Sequence, residues 1–127
     1  MMWARTTCAL FLLALPLEAA EHWNIGLTPH GVVIQARGVE ASTPDASTIL
    51  LIGGLDGNDQ SVGDVTDALR QVEDTPQANR AVRIIAIPLA NPDGNPLVFP
   101  PEGVAYRDNI ESHALWRWIG VHAPDLV

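Results

Sequence analysis

Lysine is missing from this chain of 127 residues. Its seven basic side chains are all arginine, against 15 acidic ones, for a formal charge of −8. Phosphate-rich partners need a basic face that displaces their counterions, so nucleic acid is excluded as the expected partner. Cysteine occurs once, as Cys8, which leaves no disulfide framework. Long apolar runs are scarce as well. Cys8–Leu17 is too short to span a bilayer, and no other stretch is long and apolar enough. Internal repeats, low-complexity tracts and acidic tails are lacking, so the negative charge reads as a solvated surface. At this length one domain with a modest core is expected.

What is there begins with a leader. Arg5 precedes the apolar run and Ala19-Ala20 follows it, the outline of a secretory signal peptide over residues 1–20; a buried N-terminal helix is the alternative. A leader would place the mature chain, 21–127, in the periplasm or outside the cell, with no membrane association once cleaved. Its removal would take Cys8 with it.

The mature part reads as α/β. Trp23–Gly26 and Gly31–Arg37, joined by "TPHG", suggest a hairpin. The runs "TILLIG" (Thr48–Gly53) and "VRIIAIPLA" (Val82–Ala90) suit strands buried on both faces. Between them, Val62, Val65, Ala68, Leu69 and Val72 recur at helical spacing within Ser61–Glu73. Strand, helix and strand imply a parallel pair with a right-handed crossover, in a mixed sheet. A proline- and glycine-rich loop follows, and loops of that length are often functional or mobile. A helix is then expected over Ile110–Ala123. Its apolar positions are Ile110, Ala114, Leu115, Trp118 and Val121, with Asn109 as N-cap and Pro124 as stop. Trp116 and Trp118 are expected in core and groove packing. The final "PDLV" reads as the opening of another buried strand.

Candidate chemistry gathers after the first buried strand, in "GGLDGNDQS". Asp56 and Asp59 stand where ligands bind in open α/β sheets, beyond the carboxyl ends of strands. Two readings stay open for them. Asp56-Gly57 is a normal turn pair, and Asp59 suits a helix cap; equally, the two carboxylates could hold a divalent metal. Arg107 offers a planar fork for a ligand carboxylate, or a surface pair with Asp108 or Glu111. Asn91 and Asp93, in "NPDG", suit turn-holding bonds. His113 and His122 are out of phase on one helix and unsuited to sharing a metal; His30 sits in a turn.

The succession "GGLDGND", "NPDG", "GVAYRDN", "PDLV" resembles the zinc carboxypeptidase family (carboxypeptidase A-like metallopeptidases), together with the related aspartoacylase branch. The likeness covers roughly Ile49–Val127. It implies a partial, three-layer carboxypeptidase-like α/β fold and a zinc-dependent hydrolase of peptide or amide bonds. It also implies a peptide or N-acyl amino-acid substrate with a free carboxylate. Asp56 and Asp59 stand where that family has the His and Glu zinc ligands of H-x-x-E, so zinc or another divalent ion is the implied cofactor. Arg107 and Asn91 take the substrate-binding positions. The third ligand and the catalytic acid would lie beyond Val127, so little activity is expected from these residues alone. The alternative is a non-catalytic module of the same fold that binds peptides or another protein.

Overall fold

Four strands and two long helices frame the residues described by the computed structural model, 20–127. The expected leader and Cys8 fall outside them, apart from Ala20. β1 (Glu21–Leu27) and β2 (Val33–Val39) form an antiparallel hairpin paired from Glu21↔Gly38 to Leu27↔Val33, with a bulge between Asn24 and Gly26. β1 is longer than its sequence suggests, because β2 supplies partners for its backbone back to Glu21. β3 (Thr48–Ile52) and β4 (Arg83–Ile87) are parallel, from Thr48↔Arg83 to Ile52↔Ile87, and β4 pairs antiparallel with β2. The sheet is therefore mixed, in the order β1-β2-β4-β3.

β4 stops at Ile87, three residues before the apolar run does. Proline has no N–H to continue a ladder, and after Pro88 the chain turns so that Ala90 and Asn91 donate backbone N–H groups to the carbonyls of Gly53 and Gly54. The end of β4 is thereby clipped to the end of β3.

α1 (Gln60–Asp74) covers one face of the sheet, where Leu69 packs with Val39, Ile84 and Ala86. α2 (Ile110–His122) covers the other, where Ala114 and Leu115 pack with Ile25, Ile34, Leu50, Ile85 and Ile87. The strict alternation along β4 feeds both layers, and each fully buried Ile or Leu contributes about 1.5–3 kcal/mol. The result is the three-layer α/β arrangement.

Three details depart from expectation. β3 buries only Leu50 fully. On its outer side Leu126 forms a parallel bridge to Ile49, yet Leu126 and Val127 expose their side chains instead of opening a buried strand. Asn109 stands at the N-cap position of α2 in the left-handed region, φ 47°, without capping it; its side chain donates to the carbonyl of Glu102 at 3.3 Å. The face of α2 is also turned. Val121, expected inside, is 72% exposed, while Glu111 and Ser112 are buried beside Leu115. Trp118 packs edge-on against Trp23, centroids 5.3 Å apart, as expected of a groove residue, but Trp116 is half exposed and stacks on Phe99.

Candidate functional site

Two loops leave the carboxyl ends of the parallel strands: Gly53–Asp59 after β3 and Pro88–Gly94 after β4. The first is drawn tight. Gly54 has φ +61°, a conformation that favours glycine, and a Cβ there would lie 2.8 Å from Leu89 Cδ1 and 2.9 Å from Val62 Cγ2. Its N–H donates to Ser61 Oγ at 2.8 Å. The Ser61 hydroxyl and backbone N–H in turn both donate to Asp59 Oδ1, making Asp59 the N-cap of α1. These bonds from Ser61 hold the Asp59 carboxyl below its usual pKa.

Asp56 lies at the exposed tip of the same loop, its side chain free of hydrogen bonds and ion pairs among the described residues. The two acidic positions thus have different surroundings. One is committed to the helix, the other faces solvent.

Asn91 joins the loops. It is 1% exposed, and its amide nitrogen donates to Leu55 O at 2.7 Å and Asn95 O at 2.6 Å. That fixes the turn and the β3 loop together, while its Oδ1 is buried with no hydrogen-bond partner among the described residues. Asp93 does more than hold its own turn. It reaches the β1–β2 turn, accepting from Thr28 Oγ1 at 3.0 Å and lying 2.8 Å from His30 Nδ1. Burial works to raise its carboxyl pKa, but the bonds from His30 and Thr28 outweigh that and the net shift is downward.

Arg107 lies in the long loop, 75% exposed on its side chain, and pairs with Asp108 at 3.2 Å. It lines a cleft of about 430 Å³ between the turn containing Pro29, the segment after Asn95 and the start of α2. That size falls within the range of small-molecule sites, roughly 300–1,000 Å³. His113 contacts the Glu102 carbonyl at 3.2 Å, and His122 stacks on Trp118 with centroids 3.6 Å apart.

The donor set does not fit a zinc centre. A hydrolytic zinc needs three protein ligands and one open position. Here Asp59 is already taken up by Ser61, and no group of three His, Cys, Asp or Glu side chains converges among the described residues. Sequence reasoning missed Ser61, Thr28 and His30 as the residues that set this region. Only Ser61 carried a local signal, two residues after an N-cap aspartate.

Comparisons with known proteins place the architecture. No family model matches the sequence, and no curated protein does. Among solved structures the chain is similar to a metallo-carboxypeptidase from Pseudomonas aeruginosa in complex with (2-guanidinoethylmercapto)succinic acid. Identity is 17% and the TM-score 0.60, over 85% of this chain and 32% of that one. A metallo-carboxypeptidase from Burkholderia cenocepacia matches at 16% identity and TM-score 0.57, over 84% and 34%. An aspartoacylase family protein from Mesorhizobium loti matches at 22% and 0.55, over 81% and 37%. The fold is carboxypeptidase-like, and the chain spans about a third of the length of these structures.

Proposed function

We propose that this chain is an exported, carboxypeptidase-like α/β module that binds a peptide or N-acyl amino acid through its free carboxylate. In this reading the residues described do not by themselves assemble a hydrolytic metal site. The observation that carries it is the cleft beside the "NPDG" turn, with the Arg107 guanidinium on its wall. Arginine's fork accepts a carboxylate through two parallel N–H···O bonds, and Arg107 uses only part of its donor set on Asp108. The carboxypeptidase-like and aspartoacylase-family neighbours support the substrate class. N-acetylglycine is the minimal probe. Titrated into the chain, it should shift the amide signals of Asn95, Arg107 and Ser112, and Arg107→Ala should abolish the shifts. Unchanged binding by Arg107→Ala would end this reading.

A second reading keeps the hydrolase. It is favoured by the free Asp56 carboxylate at the carboxyl end of β3, where the resemblance puts a zinc ligand. Zinc, or another divalent ion, would then be held by Asp56 and by Asp59 turned away from Ser61, with a third donor that the described residues do not supply. Protein purified without chelator and holding a stoichiometric divalent ion that Asp56→Ala abolishes would establish it. The export assignment is checked separately, by mass spectrometry of the N-terminus of material recovered from outside the cytoplasm.

A further inference from the structure

The same cleft contains a feature that carboxylate binding does not use. Glu111, in the first turn of α2, lines it and is only 3% exposed. Its Oε1 is buried with no hydrogen-bond partner among the described residues. Its neighbours do not supply one. The Asn109 amide donates to Glu102 O, Arg107 is turned to Asp108, and the Ser112 hydroxyl, which accepts from the Val98 N–H at 2.9 Å, makes no bond to Glu111. A carboxylate oxygen removed from water costs free energy unless a donor meets it, and buried charges in proteins are almost always paired.

We propose that Glu111 receives the primary ammonium or guanidinium group of a ligand in this cleft. The cleft then has two ends of opposite charge, an exposed arginine at the rim and a buried glutamate on the wall. The ligand class is a small molecule or chain terminus that carries an organic cation as well as a carboxylate. This rests on the carboxylate-binding reading for the second charge, but the cation site stands on Glu111 alone. A cation with N–H donors would satisfy the orphaned oxygen, and burial shields the pair from solvent, which makes its loss costly.

The test uses three probes on the whole chain by calorimetry. These are agmatine, which has the cation and no carboxylate; N-acetylglycine, which has the carboxylate and no cation; and L-arginine, which has both. Agmatine is expected to bind, and L-arginine to bind more tightly. Glu111→Gln keeps the side chain's size and should weaken both by at least about tenfold while leaving N-acetylglycine unaffected. Arg107→Ala should do the reverse, losing N-acetylglycine and sparing agmatine. Circular dichroism confirms that each variant is folded. The carboxyl carbon signal of Glu111 in labelled protein gives a readout that needs no variant, and should move with agmatine. Failure of agmatine to bind, or equal agmatine binding by Glu111→Gln, overturns the cation site. Failure of N-acetylglycine alone overturns only the carboxylate reading.

Discussion

Each long helix among the described residues begins beside a carboxylate, and the two are handled in opposite ways. At the start of α1, Asp59 is exposed, yet its Oδ1 is committed to the fold, taking both the N–H and the hydroxyl of Ser61. At the start of α2, Glu111 is buried, yet one of its oxygens meets no donor among the described residues. Exposure is therefore a poor guide to availability. A side chain in open water can be committed to the fold, and one packed inside can have unused bonding capacity. What separates them is the local chain: a serine two residues after Asp59 closes a ring, whereas Asn109, in the matching place before α2, turns to the Glu102 carbonyl.

The largest perturbation of this contrast comes from beneath the helices. Leu115→Ala removes a fully buried side chain one turn below Glu111, and Leu69→Ala does the same under α1. Each should cost about 2–5 kcal/mol in denaturant unfolding. Only Leu115→Ala should loosen the start of α2, seen as faster amide exchange at 111–115. Asn91→Ala comes next. It strands the carbonyls of Leu55 and Asn95, with an expected loss of about 1–3 kcal/mol, and should release the β3 loop together with the Asn95 wall of the cleft.

The smallest effect sharpens the α1 side. The depressed pKa of Asp59 means that its contribution is present above the unfolded value, about 3.9, and is lost as pH falls from there through the folded one. Asp59→Asn retains a good capping residue. It should match the parent in unfolding at pH 7 and show a flatter decline of stability below about pH 4.

The parts of this architecture legible in the sequence are those written in apolar periodicity. "TILLIG", the Val62–Val72 stripe and "VRIIAIPLA" located β3, α1 and β4 because apolar runs and stripes respond directly to burial. The orientation of α2 was hidden, since its inward face includes Glu111 and Ser112, whose letters signal solvent, while apolar Val121 faces out. The candidate site was legible only as loops. "GGLDGND" and "NPDG" announce turns, but the bond from Asp93 to Thr28 and His30 joins residues more than sixty positions apart. No local pattern encodes that pairing. The sequence allows Arg107 a ligand grip or a surface pair with Asp108 or Glu111, and it pairs with Asp108 on the wall of the cleft.

The cross-tie made by Asn91 has an engineering corollary. Because the Asn91 amide holds the carbonyl of Leu55, the loop tip that follows at 56 is a mounting point whose backbone is tied to the turn after β4. New side chains grafted at 56 would start from a fixed attitude, with little entropy left to lose, so metal-chelating or reporter groups could be installed there while the sheet below stays as it is.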